Sequence, residues 1–168
     1  MHFSRHAVVQ DWLFKLAEAA LVHPRKEMSL PGSQLRPGDV FIESFTDGKD
    51  TAIDVTVVSP IQATLINNSS NVRMFAANKA AEEKKSKYHE LCSQQGTIFV
   101  PFALENFGGL HCISLHITKK LFALIHSRTS DPIWLISKTK LEYLSFRLQR
   151  AIANSIIKRI PEYNATES

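Results

Sequence analysis

Two acids stand out as candidates for chemistry: Asp39 and Asp54, fifteen residues apart. Each sits in a short apolar run, Asp39-Val40-Phe41-Ile42-Glu43 and Thr51-Ala52-Ile53-Asp54-Val55-Thr56-Val57-Val58. A segment apolar at nearly every position reads as a central strand covered on both faces. An unpaired carboxylate inside one costs several kcal/mol. Thr46-Asp47-Gly48-Lys49 lies between the runs and reads as a hairpin turn, so the strands pair antiparallel. With the turn near Asp47-Gly48, position 54 falls close to position 41, and Asp39 lies within a residue or two of Asp54. Diagonal neighbours across a ladder are about 7–8 Å apart. At that range both carboxylates can share one Mg²⁺ or Mn²⁺, since Mg²⁺ takes oxygen ligands at about 2.1 Å. A shared cation removes the burial penalty and the mutual repulsion together. The plainer alternative is that Asp39 caps the turn after Pro37-Gly38, and Asp54 pairs with a lysine or faces solvent.

The next candidates are amines. Residues 72–94 are dense in alanine and lysine and read as a long helix, with Gly96 as its stop. Lys84 and Lys87 are three apart and share a helix face, while Lys85 points elsewhere. A helix packed over the sheet could send one lysine to the acids, to orient water or stabilise charge on a phosphate. The bland reading of the same lysines, with Lys79 among them, is a solvated helix face. Glu27, on a short strand read over Glu27, Met28 and Leu30, is either a third carboxylate or an exposed edge residue.

The elements that must position these groups follow from periodicity. Residues 7–22 carry apolar side chains at helical spacing and end before His23-Pro24. Pro31-Gly32-Ser33 reads as a turn, and the Asn- and Ser-rich stretch 61–71 as a loop. Residues 97–104 read as another buried strand, and Gly108-Gly109 as a turn. Helices are expected over 114–128 and 138–160, with Asp131-Pro132 between them and a frayed tail from Asn164 to Ser168. The last helix carries Leu141, Leu144, Leu148, Ile152, Ile156 and Ile157, a stripe that packs on the core or on a second copy of the chain, a homodimer. The order α-β-β-β-α-β-α-α predicts an α/β fold whose mixed sheet has helices on both faces. One domain is expected over 1–168, with a core at about 5–110 and a helical extension at about 111–162.

Composition narrows the class. The 168 residues are 44% hydrophobic, enough for a packed interior, and the formal net charge is +4, compatible with a polyanionic partner. Cys92 and Cys112 form no CxxC pair and read as reduced, mostly buried thiols of an intracellular protein. No apolar run reaches the roughly 18–20 residues of a membrane span, and Met1 to Val8 has no apolar leader core, so neither a membrane nor a secreted protein is expected. A nuclear location is expected, although Glu83-Lys84-Lys85 is too interrupted to read as a nuclear signal.

Taken together, these segments resemble a known family. Arg5-His6, at the head of the first helix, is similar to the Arg/Lys-His-Asn/Asp element that precedes the endonuclease core of site-specific non-LTR retrotransposons. Arg36-Pro37-Gly38-Asp39-Val40-Phe41 resembles that family's Arg-Pro-Asp motif, with Gly38 inserted. Ala52-Ile53-Asp54-Val55-Thr56-Val57 matches its second aspartate strand, and Glu83-Lys84-Lys85-Ser86-Lys87-Tyr88 its Lys-x-x-Lys-Tyr segment. Pro101 and the Glu105-Asn106-Phe107-Gly108-Gly109 turn are also similar. The resemblance covers residues 5–110. It implies a restriction-endonuclease-like, PD-(D/E)XK core that nicks target DNA and belongs to a larger reverse-transcriptase polyprotein. It implies catalysis by Asp39, Asp54 and Lys84, with Mg²⁺ or Mn²⁺ held by Asp39, Asp54 and Glu27. Arg5, His6, Arg36 and Lys87 are expected to contact DNA. Position 56 is Thr where the (D/E)XK pattern has lysine, so the amine must come from the helix. Three readings leave the sequence: a metal-dependent endonuclease, an inactive DNA-binding module of the same fold, or, third, a structural or dimerisation protein.

Overall fold

The first helix, α1 (Arg5–Ala19), starts at Ser4, whose hydroxyl accepts the Ala7 N–H at 3.1 Å. Val8, Val9, Trp12, Leu13, Leu16 and Ala17 recur three or four apart and are buried, which gives the helix one apolar face to seat. In this computed structural model, which describes residues 4–30 and 34–159, that face lies on a four-stranded sheet. The strands are β1 (Arg25–Lys26), β2 (Val40–Thr46), β3 (Lys49–Val58) and β4 (Ile98–Glu105), hydrogen-bonded in that order. The first two pairings are antiparallel and β3–β4 is parallel, so the sheet is mixed. The crossover between β3 and β4 holds α2 (Ile66–Ser69) and α3 (Phe75–Gln94); α4 (Cys112–Thr129) and α5 (Ile133–Ile157) follow β4.

Alternation along β3 sorts its side chains between two layers. Ile53 and Val55 join Val40, Ile42, Val100, Phe102 and Leu104 in the main core, against Leu13 and Leu16 of α1, Leu121 of α4 and Leu148 of α5. On the other face Ala77 and Ala81 of α3 meet Ala103 of β4. Small side chains let α3 lie close to the sheet. Pro101 sits in β4, an edge strand among the described residues, where a missing N–H costs least.

The α/β class, the mixed sheet and the covering of both faces agree with the sequence reading. Several boundaries do not. The short strand expected at 27–30 lies at Arg25–Lys26, because Glu27 takes a positive φ of 49° that ends it. The loop expected at 61–71 contains α2. α3 begins at Phe75 after Met74, whose φ of 62° breaks the chain direction. Gly96, at φ 68°, ends it as expected. α5 begins at Ile133, five residues earlier than read, with Pro132 as its N-cap. Cys92 is buried as expected, but Cys112 is exposed. The turn read at Pro31-Gly32-Ser33 and the tail from Asn164 lie outside the described residues. No helix among the described residues is long and apolar enough to cross a membrane.

Candidate active site

The hairpin turn alone would set position 54 opposite 41. Next to the turn, Thr46 does pair with Lys49. The register then slips by two, so that Ile42 faces Thr51 and Val40 faces Ile53. The slip is a bulge centred on Ser44, at φ 50°, whose N–H is taken by the Asp50 carboxylate at 3.0 Å. The Lys120 amine donates to the carbonyl of Phe45, so the bulge backbone is also satisfied from α4. A slip of two preserves side-chain parity. Continued one step past the Val40–Ile53 pair, that register would set Asp39 level with Asp54, nearer than the diagonal placement expected from sequence.

Gly38 makes that approach possible. A Cβ there would lie 2.9 Å from the backbone nitrogen of Ile53 and 3.1 Å from the Ala52 carbonyl carbon. Without one, the chain presses against β3. The Asp39 N–H donates to the Ile53 carbonyl at 2.8 Å, and Oδ2 of Asp39 accepts the Val55 N–H at 2.7 Å. The side chain thus continues the ladder where a backbone carbonyl would have stood. The same oxygen lies 2.9 Å from Nε2 of His6, at the head of α1. That hydrogen bond raises the His6 pKa against the lowering effect of burial, helped by the charges of Asp39 and Asp54. Oδ1 of Asp39 has no partner among the described residues.

Asp54 is buried, with only 9% of its surface exposed. Lys84 crosses from α3 to place its amine 2.9 Å from Oδ2 and 3.3 Å from Oδ1 of Asp54. The Thr56 hydroxyl donates to Oδ2 at 3.4 Å. Burial pushes the Asp54 pKa upward and outweighs the opposing hydrogen bond and charge of Lys84; the Asp39 carboxylate pushes in the same direction as burial. The pairing with a lysine, weighed as the plain alternative, is therefore real. The partner is the same amine that the family resemblance singled out.

The other expected residues distribute unevenly. Lys87 is exposed, 4.9 Å from the Tyr88 ring centroid, and its pKa is raised first by Tyr88, with a smaller push from Asp54. Lys79 lies elsewhere, beside Val58 and Leu65. Arg5 donates to Oδ1 of Asn106 at 2.9 Å, so its guanidinium serves a protein contact. Glu27 does not join the acids: its carboxylate turns outward to Arg36 at 3.3 Å, both about 59% exposed. Arg36 is correspondingly part of a surface ion pair. Among the described residues no three His, Cys, Asp or Glu side chains gather as a metal-binding group. Sequence reasoning missed the His6–Asp39 contact, Thr56 as a partner of Asp54, and Asn106. Only the last two carried any signal, as polar residues inside or just after apolar strands.

The donor chemistry suits a hard divalent cation. The two carboxylates are near enough for Asp39 to raise the Asp54 pKa, one oxygen of Asp39 has no partner among the described residues, and Mg²⁺ is commonly held by one or two carboxylates, with waters and substrate phosphate completing its shell. Comparison with family models, with curated proteins and with solved structures returns no match. The chemistry is therefore argued from the side chains.

Proposed function

We propose that this chain is a metal-dependent DNA endonuclease of restriction-like type, in which Asp39 and Asp54 hold Mg²⁺ or Mn²⁺ and Lys84 serves the scissile phosphate. The observation that supports this reading is the convergence of two acids from adjacent strands with an amine from the overlying helix. Mg²⁺ or Mn²⁺ at such a site would neutralise phosphate charge and lower the pKa of water. The protein's own groups have distinct tasks. The Val55 N–H and His6 fix one oxygen of Asp39 and leave the other for a ligand. Thr56 orients Asp54. Lys84, half-buried, can turn its ammonium from Asp54 to a phosphate oxygen, where developing negative charge rewards it most. Lys87 stands by as a phosphate contact on the same helix face.

The test is nicking of supercoiled plasmid with Mg²⁺ or Mn²⁺. Conversion to open circles, lost in Asp54→Asn, which keeps the parent melting profile or better, and in Lys84→Met, assayed at a temperature where it is still folded, supports the reading. Cleavage that persists in Asp54→Asn sinks it. One observation favours a second reading, the inactive DNA-binding module: the Lys84–Asp54 ion pair satisfies the buried acid without any cation. Duplex binding with no nicking under any divalent ion would select that reading.

A further inference from the structure

Charge is not spread evenly along the chain. Residues 1–110 contain eleven Lys and Arg against twelve Asp and Glu; residues 111–168 contain nine against four. Pairing differs as well. In the first stretch Lys15 is bridged to Asp11, Arg25 to Glu43, Arg36 to Glu27 and Lys84 to Asp54. In the second, Arg150, Lys158 and Arg159 are exposed and form no ion pair among the described residues.

The position of these three cations follows from the packing of α5. Lys140 accepts the Trp12 indole N–H at its carbonyl, 2.9 Å away. Nine residues on, Gln149 donates to the Asn106 carbonyl at 2.9 Å, and the Asn106 side chain accepts from Arg5. α5 thus runs antiparallel to α1 and draws level with the first residue of α1 at Gln149. Arg5 is next to His6, which touches Asp39. The last turns of α5, with Arg150, and the residues just after it, Lys158 and Arg159, extend past the start of α1 at the end of the fold where the acids lie.

We propose that the C-terminal part of α5 is a grip for the sugar–phosphate backbone of duplex DNA, separate from the acid site and lying alongside it. The proposal rests on the nuclease reading only for the choice of DNA as the polyanion. Exposed cations at and just beyond the end of one helix provide long-range attraction and backbone contacts without base recognition. Ile156 and Ile157 are exposed beside the same cations, and such a helix end would also suit an anionic bilayer. The link through Gln149, Asn106 and Arg5 to the acid site favours DNA.

The experiment is fluorescence-anisotropy binding of a labelled duplex in EDTA, across a salt series, with the full chain. The triple variant Arg150→Gln/Lys158→Gln/Arg159→Gln is compared with the parent and with Lys138→Gln, an exposed cation at the opposite end of α5. The expected result for the triple variant is at least a tenfold loss of affinity and a salt slope shallower by about 2–3, since each phosphate left unneutralised removes about 0.9 from the slope. Lys138→Gln should bind within about twofold of the parent, and all proteins should melt alike. Equal affinity and slope for the triple variant and the parent would overturn the grip. Binding to vesicles containing phosphatidylserine, lost in the triple variant with no duplex binding by the parent, would overturn it in favour of a membrane surface. The nuclease reading fails separately: a parent that binds duplex with the expected slope yet nicks nothing keeps the grip and loses the catalytic site.

Discussion

The sheet-bearing part of the molecule and the α4–α5 hairpin treat charge in opposite ways. In the first, cations are matched to acids, on the surface at Arg25–Glu43 and inside at Lys84–Asp54. In the second, seven cations face two acids. Exposed ion pairs contribute only about 0–1 kcal/mol each, so stability does not explain the contrast. Field does. Matched charges cancel within about a Debye length, roughly 8–10 Å in ordinary salt, whereas unmatched ones reach beyond the surface. On the proposed reading, one part would position reactive groups and the other would attract a polyanion.

The contrast can be broken most sharply by exchanging readouts. Asp54→Asn should reduce nicking about 10³-fold, the scale on which a group that acts only in the transition state contributes. Metal-free duplex binding by the same variant should stay within about twofold of the parent. If Asp54→Asn weakens binding as much as it weakens cutting, the two parts are not separable. Gly38→Ala comes next. Its Cβ would meet the β3 backbone, and forced overpacking of this kind costs about 1–3 kcal/mol. Chemical denaturation should show that loss, together with reduced nicking, because Asp39 can no longer reach the Val55 N–H.

Smaller effects sharpen the picture of the acid pair. Burial raises the Asp54 pKa, so the folded state prefers the protonated acid, and stability falls as pH rises through the folded value. Asp54→Asn should therefore melt higher than the parent near neutral pH, by about 2–4 °C if the gain is about 1 kcal/mol. An unchanged or lower melting temperature would show that Lys84 compensates the acid fully. The His6 pKa is raised above 6.5 by Asp39. Its contribution is complete below pH 6.5 and disappears as pH rises through the higher folded value. His6 is 44% exposed at its side chain, so screening keeps the effect small. A melting series from pH 6 to 9 should show the advantage of the parent over His6→Gln shrinking by about a degree.

The order of elements and the identity of the acids were legible because both rest on local pattern. Apolar runs mark β2 and β3, and the Asp47-Gly48 turn joins them. The two-residue slip was not legible, because it depends on Ser44, a non-glycine residue in left-handed conformation, and on the Asp50 side chain that holds it. Glu27 was misplaced for a similar reason, since it too is a non-glycine residue at positive φ, which residue type does not announce. The start of α5 was missed because Ile133, Trp134 and Leu135 are all exposed there and hide the amphipathic period. His6–Asp39 and Arg5–Asn106 join residues 33 and 101 apart in sequence, beyond any local signal.

The Lys84 ammonium on Asp54 has a consequence for how such a protein would meet its ion. Because an internal countercharge already sits on the buried carboxylate, the polypeptide should reach its native shape in chelator-treated solution. Ion occupancy would then be uncoupled from assembly of the fold. Catalysis would be set by the free concentration of the divalent species and by how readily the lysine gives way, so starvation for the ion would silence the protein without unfolding it.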